Sequence, residues 1–544
     1  MLKQVQHDSI IILEKVCILI KSVDKRAVIF FVILFILCLA KCTFKCFPDN
    51  DLWARLLVGS SVIDGFSVMK HDIFSYFPTN PVWYDHEWGA SVFIYAFFSL
   101  FKSWGLLLLK IILTFSILFL SFKTIKLREP KSTHPYNIFF YALMLLAANY
   151  VFNGTVRCHL FSFFFFTLFL YLLERVRLKG FKYWQVFPLL MFFWVNIHGG
   201  CVSGLGLLGM YLVGEFLNKK SVGLYLKAIL TSCLVLFINP WGIGYVEFLF
   251  KATTMARGLI GEWLGTFQSP EPFIFFKSYL FLMCFIALVK LVKTFKNKEN
   301  FDWTKWIVLS ATLYLALAHV KHQPFFVIAA GIFLYDDFYS VLGNSIKYLL
   351  YKIPKMTEGI ISKLVIVKDT LVYSILLCFS LFLISAFKTP ISFEGTAYPY
   401  YAIEFIKLNN LEGKLFVNFD WGSYASYKLY PAVKTAMDGR YEECFNPELI
   451  FKMNNFHMLN NEHWYDIIEM YPPDIMVIEK KYPVYKEIME KTGWFPVFEN
   501  NLSGVFVSEK LKKDKYLYPE PDIEYYNRTM FDKQFAFVKR IKKE

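Results

Sequence analysis

The chain has 544 residues, 56% of them hydrophobic and only 19% charged, with 60 Phe, 33 Tyr and 13 Trp. Soluble domains carry roughly 25% charge, so this composition excludes an ordinary soluble enzyme and points to a polytopic helical membrane protein. The net charge of +14 does not indicate nucleic acid, because Lys and Arg fall in short loops between apolar segments and no nucleic-acid motif is present.

Apolar segments long enough to cross a bilayer are expected at 27–42, 104–121, 136–152, 158–174, 184–199, 201–217, 223–239, 273–292, 304–319, 323–341 and 369–387. That makes about 11 full crossings of an α-helical membrane domain, residues 1–388. The first span can serve as an anchor without a cleavable signal. From about Thr389 charges become frequent and short β-like runs appear, at 414–417, 475–478 and 504–507. Helical stretches lie between them, such as 400–408 and 484–491, which predicts a soluble α/β domain over 389–511. Residues 512–544 read as a tail or a loosely docked helix. The ten Cys are scattered, mostly in apolar runs. Cys42 and Cys46 form a close pair with no zinc-spaced partners, so the Cys read as buried thiols.

Loop charge predicts orientation. The loops 122–131, 175–182, 218–220 and 290–298 are basic and alternate with the cation-poor loops 153–156, 198–201 and 240–250. The basic set is expected on the cytoplasmic side, as is the N-terminus behind the run Lys21–Arg26. The 43–88 loop, the 240–272 loop, the His319–His322 turn and the C-terminal domain then face outward. Only one net crossing remains for 89–121. The apolar stretch 89–102 is therefore expected to be a half-inserted helix, or to merge with the next segment as one broken span.

This parity gathers the unusual polar residues on one face. They are Asp49, Asp51, Arg55, Asp85, His86 and Glu87 of the first outer loop, Arg157 and His159 at a span start, and His198 after Asn196. Glu262 and Trp263 come from the 240–272 loop, and His319, Lys321 and His322 from the turn His-Val-Lys-His-Gln-Pro. A single one of these is more often a cap, a snorkelling side chain or solvated surface charge. Their convergence from five loops predicts a shared site. Arg157, Lys321, His322 and His159 suit a phosphate, and the carboxylates suit general-base work on an acceptor hydroxyl. Asp49 and Asp51 could hold a divalent cation such as Mg or Mn between hard oxygens. A Gly-rich phosphate loop and a nucleophilic triad are both missing from the sequence. Nucleotide donors are absent from the outer face, so a lipid-linked phosphate donor fits the location.

The motifs then resemble a known group. Asp49-x-Asp51-Leu-Trp, Gly59, Ile63, Gly65, Asp72-Ile-Phe-Ser75 and Trp83-x-Asp85-His86-Glu87-Trp88 look like the first outer loop of the GT-C superfamily of polytopic glycosyltransferases that use polyprenyl-phosphate sugars. The likeness runs on through Arg157-x-His159-x-Phe161-Ser162, Trp194-x-Asn196-x-His198-Gly199-Gly200, Asn239-Pro240-Trp241-Gly242, Glu262-Trp263 and His322-Gln323-Pro324. It ends with Asn418-x-Asp420-Trp421-Gly422-x-Tyr424 and Met437-Asp438-Gly439-Arg440-Tyr441, so it covers about 27–445. The closest likeness is to a bacterial subgroup of undetermined activity.

The resemblance implies a donor lipid in a groove between the spans, an acceptor entering from the outer face of a bacterial inner membrane, and an Asp of the first loop at the reaction centre. That Asp corresponds to Asp51, or Asp49. Two features depart from the well-studied transferases: their acidic pair is not matched residue for residue, and the Asp-Gly-Arg element is not part of their core. Asp438-Gly439-Arg440 reads either as a turn with Gly439 at positive φ or as acceptor recognition. Asp420 and Trp421 are expected to offer an aromatic platform for a sugar.

The leading expectation is a transferase moving a sugar from a polyprenyl-phosphate to an outer-face glycan, lipid or protein. Asp51 would act as base, Arg157, Lys321 and His322 would hold the phosphate, and His86, Glu87 and His198 would shape the site. A flippase for lipid-linked glycans needs polar residues at mid-membrane depth and an internal repeat. A glycan polymerase or ligase would not need the acidic first loop. A non-catalytic envelope assembly protein is the remaining alternative.

Overall fold

The computed structural model describes residues 25–44, 46–128, 136–148, 154–255, 260–342, 358–385, 391 and 398–519. Most of the Lys21–Arg26 run, part of the 122–131 loop and most of the 512–544 tail lie outside the described residues.

Helices fall on the expected spans in chain order, and two more, Asn50–Gly65 and Ile243–Thr254, lie within the loops expected at 43–88 and 240–272. They are α1 (Lys25–Thr43), α2 (Asn50–Gly65, in the first loop), α3 (Trp88–Arg128), α4 (Ile138–Ala147), α5 (His159–Lys179), α6 (Val186–Ile197) and α7 (Val202–Leu217). Then come α8 (Gly223–Val235), α9 (Ile243–Thr254), α10 (Ile274–Lys296), α11 (Trp303–Ala318), α12 (Gln323–Phe333) and α13 (Glu358–Ser385). Among the described residues, five helical stretches are long and apolar enough to cross a membrane by length and composition, or six if α12 and its 65° bent continuation Tyr335–Leu342 count as one. Shorter apolar helical stretches among the described residues are Ile138–Ala147, Val186–Ile197, Gly223–Val235, Trp303–Ala318 and Leu371–Ser385, the last being part of α13.

The stretch 88–128 is one element broken at Lys102, where φ is 52° and ψ −138°. A straight helix of that length would be about 60 Å long, twice the apolar core of a bilayer. The break lets the first part take a separate course, which is the merged arrangement expected for 89–102.

The C-terminal domain contains α14 (Tyr400–Leu408), β1 (Gly413–Val417), α15 (Phe419–Leu429), β2 (Val433–Thr435), α16 (Tyr441–Cys444), α17 (Pro447–Met458) and α18 (Asp466–Met470). It continues with β3 (Ile475–Glu479), α19 (Val484–Glu490), β4 (Trp494–Glu499) and β5 (Ser503–Ser508). The sheet order is β2-β1-β3-β5-β4. The first three strands are parallel, and β5 runs antiparallel to both β3 and β4. β1, β3 and β5 were legible because buried strands read as nearly continuous apolar runs. β4 was not, because Pro496 interrupts its pattern beside a bulge on the sheet edge. Beyond β5, Asn409 holds Leu517 in both directions, accepting from its N–H and donating to its carbonyl.

The first loop is the joint between membrane helices and sheet. Gly59 brings α2 against α3 so closely that a Cβ there would lie 2.2 Å from the Ser91 carbonyl oxygen. On its other face α2 packs against α15. Fully buried Trp53 meets Tyr424 at 4.9 Å and Tyr398 at 5.7 Å between ring centroids. Further along, the loop pairs with the short edge strand β2: Tyr76 N–H donates to Thr435 O at 2.9 Å and Thr435 N–H to Phe74 O at 3.2 Å. That pairing covers a sheet edge that would otherwise be open.

Candidate functional site

A cavity of about 500 Å³ opens between the first loop, the start of α5, the 260–263 turn and the C-terminal domain. Asp49, Asn50 and Asp51 form one wall, Arg157 and Glu262 another, and Asn418, Asp420, Tyr441, His457 and Tyr482 the far side. Asp49 is the N-cap of α2: its Oδ1 accepts from the Leu52 N–H at 2.9 Å. Asp51 sits in the first helical turn, where the helix dipole favours negative charge.

Both carboxylates converge on Arg157. Its Nε lies 3.3 Å from Asp49 Oδ2, its Nη2 3.0 Å from Asp51 Oδ2, and its Nη1 2.6 Å from Glu262 Oε1. Where the first loop meets the C-terminal domain, Asn50 Nδ2 donates to Asp420 Oδ1 at 3.2 Å. Removal from bulk water raises the Asp51 pKa to about 7. Arg157 opposes that rise, while Asp49, Glu262 and Glu87 reinforce it. The Asp51 side chain remains 46% accessible on the cavity, so a substrate can reach it.

A second, buried centre lies beside the first. Arg55 Nη1 reaches Asp85 at 2.9 Å and Glu87 at 3.4 Å. Glu443 of the C-terminal domain enters the same centre, with Oε1 2.5 Å from His86 Nδ1 and Oε2 accepting from Trp83 Nε1 at 3.0 Å. Glu87 Oε1 is 3.2 Å from His198 Nε2. Burial pushes the Glu87 carboxyl up, but Arg55 and His198 outweigh it and hold it well below the usual range. The rings of His159 and His198, 5.0 Å apart, connect this centre with the start of α5.

His86, Glu87 and His198 offer three ligand atoms within 4.8 Å of one another, a donor set of the type that binds zinc. Protonation argues against it. His198 Nδ1 accepts from the Gly200 N–H at 2.8 Å, so the neutral ring carries its proton on Nε2, the atom that would have to ligate. The residues therefore form a proton-bearing charge network and do not fit a metal.

No family profile matches the sequence, and no curated protein does. Solved structures resemble this chain, and the first named shares its fold. An oligosaccharyltransferase from Archaeoglobus fulgidus, tethered to an acceptor peptide by a disulfide bond, superposes with TM-score 0.54 at 11% identity, over 93% of this chain and 77% of that one. ArnT from Cupriavidus metallidurans bound to undecaprenyl phosphate gives 0.48 at 11% identity, over 90% and 99%. AglB from Archaeoglobus fulgidus, in complex with an inhibitory peptide and a dolichol-phosphate, gives 0.45 at 12%, over 93% and 77%. The chain has a GT-C fold.

Within this GT-C fold the residues expected to share one site separate into groups. Asp49, Asp51, Arg157, Glu262 and Asp420 line the cavity. Arg55, Asp85, His86, Glu87 and His198 form the buried centre behind it. His319, Lys321 and His322 stand behind Trp263 instead of lining the cavity. Lys321 Nζ lies 3.3 Å from the Trp263 ring centroid, and His319 Nδ1 is 2.7 Å from the Trp263 carbonyl oxygen.

Three expectations for the C-terminal domain are corrected. Asp438 and Arg440 are not an acceptor surface, because both are 1% exposed and locked to each other and to Asp72 of the first loop. Trp421 is buried within α15 and offers no platform. The aromatic groups on the cavity are Trp263, Phe419, Tyr441 and Tyr482. Gly439 is not at positive φ. It is needed for close approach, since a Cβ there would stand 2.8 Å from Asp51 Oδ1.

Sequence reading missed Glu443 and His457. Glu443 follows the Asp-Gly-Arg element closely, and that proximity was the available signal. His457 is a lone His on an amphipathic helix and carried none. It lines the cavity, stacks on Tyr482 at 4.7 Å, and neither ring nitrogen has a hydrogen-bond partner among the described residues. Burial lowers its pKa to about 3, so it is neutral and offers one donor and one acceptor to a cavity ligand.

Proposed function

We propose that the protein is a membrane glycosyltransferase that moves a sugar from a polyprenyl-phosphate donor to a hydroxyl-bearing acceptor at the cavity. The observation that carries this reading is the meeting of Asp49, Asp51 and Glu262 on Arg157 at a cavity between membrane helices and the C-terminal domain. The GT-C fold supports it, and the apolar helices supply the lipid phase that such a donor needs. In the proposed orientation the cavity faces outward, on the far side of the membrane from the basic loops.

In the reaction the acceptor oxygen attacks the anomeric carbon and the carbon–oxygen bond to the lipid phosphate breaks. The acceptor proton passes to the Asp51 carboxylate, and the bonding pair leaves with the phosphate. A carboxylate with a pKa near the working pH is suited to this role. Arg157 then has a second part. As Asp51 takes the proton it loses its charge and loosens its hold on Arg157 Nη2. The guanidinium can turn its attraction toward the negative charge growing on the phosphate. Lys321, close behind Trp263, would add positive potential on that side, whereas His322, whose pKa burial lowers to about 3, is neutral. His457, Tyr482 and Asp420 would contact the acceptor, and Asp420 would favour hydroxyl donors.

Transfer from a radiolabelled polyprenyl-phosphate sugar by the purified protein tests the reading. Turnover should fall at least a hundredfold in Asp51→Asn. Full turnover in that variant would refute the assignment of the base.

A further inference from the structure

Carboxylates from separate elements that aim at one point are the usual cradle of a divalent cation. Asp49 and Asp51 come from the start of α2 and Glu262 from the 260–263 turn, and the sequence alone pointed to Mg or Mn between the two Asp residues. Here the point they aim at is filled. Three different nitrogens of Arg157 each face a different carboxylate, at 3.3, 3.0 and 2.6 Å. A divalent ion binding the same oxygens needs them gathered at about 2.1 Å from its own centre. The guanidinium occupies that centre.

We propose that Arg157 is the resident cation of this carboxylate cluster, so that the centre operates without a divalent metal. This deepens the transferase reading and rests on it only for the statement about turnover. The chemistry supports the substitution. Guanidinium keeps its charge at every working pH and presents a rigid fork of donors that matches carboxylate geometry. Arg157 is also fixed from the backbone side: its carbonyl accepts from the Leu160 N–H at 3.0 Å at the start of α5. Asp49 is likewise held through its Oδ1 by the Leu52 N–H. The cluster needs a cation, because three carboxylates so close together would otherwise repel one another. One positive charge among three negative ones leaves a formal excess of two, which a proton on Asp51 reduces to one.

The test is Mn2+ binding to the full-length, chelator-treated protein in lipid nanodiscs, followed by the loss of the free-ion EPR signal. The wild type should show no Mn2+ site that Asp49→Asn removes. Arg157→Ala empties the cradle and should gain a Mn2+ site at least about tenfold tighter than any in the wild type. Adding Asp49→Asn to that variant should abolish the gain. Arg157→Lys keeps one charge and should gain nothing. A tight wild-type site lost in Asp49→Asn would overturn the proposal, as would a folded Arg157→Ala protein that gains no site. If Arg157→Ala fails to fold, the wild-type and Asp49→Asn pair still decides. Turnover of the chelated wild type should be unchanged by added Mn2+ or Mg2+. Failure of the transferase reading itself would appear separately, as absence of turnover with or without metal.

Discussion

Arg440 of the C-terminal domain and Asp72 of the first loop form a 2.5 Å ion pair in which both side chains are 1% exposed. Asp438 holds the same guanidinium at 2.8 Å, and the rings of Phe74 and Trp83 lie 5.0 and 4.9 Å from it. The clasp joins residues 368 positions apart. It also sets Gly439, one residue earlier, against Asp51.

Breaking one side of this clasp should be costly. Arg440→Ala leaves two buried carboxylates unpaired and is expected to lose about 3–5 kcal/mol. A lowered melting temperature and early proteolysis near residue 440 would report it. Burial pushes the Asp72 carboxyl up, but Arg440 outweighs it and holds the pKa below the usual range. Its stabilising contribution is therefore present above about pH 4 and lost as pH falls through the lowered pKa.

Turnover should depend on pH through Asp51. Its pKa of about 7 reflects removal from water, with Arg157 opposing and Asp49, Glu262 and Glu87 reinforcing the shift. As the proposed base, Asp51 works only when deprotonated, so the rate should rise through pH 7 and level off above it. Glu262→Gln removes a like charge and should move the midpoint to lower pH. An unmoved midpoint in that variant would count against Asp51 as the titrating group.

Gly439→Ala should act on chemistry more than on stability. The added methyl group would press on Asp51 Oδ1 from 2.8 Å. A displaced base is expected to lower kcat on the order of ten- to a hundredfold, with a melting temperature close to wild type. Steady-state kinetics beside a thermal melt separates the two effects.

A network at the opposite end of the helices supplies a control. Glu174 pairs with Arg128 at 2.5 Å, and Arg177 binds Glu215 at 2.7 Å and Asp302 at 2.6 Å. Glu174→Ala removes the closer of two carboxylates facing Arg128, the other being Asp302 at 4.0 Å, and should lower stability by about 3 kcal/mol. KM for donor and acceptor should stay unchanged.

The sequence by itself determined where the helices fall, because burying an apolar run is a local property of that run. It also marked β1, β3 and β5, the change of character near residue 389, and Asp49 and Asp51 at the start of α2. It read Arg128 and Arg177 as loop cations, since nothing local reveals the Glu174 and Glu215 that neutralise them. Charge pairing depends on distances that exist only after packing, and here the partners are tens to hundreds of residues apart. Tertiary structure alone decided that Arg157 sits among three carboxylates, that Glu443 enters the His86 centre, and that Asp438 and Arg440 are sealed in a clasp. It also moved Lys321 and His322 behind Trp263 and brought His457 to the cavity. A buried charge must find its counter-charge wherever the fold brings one, and that choice is written in the packing.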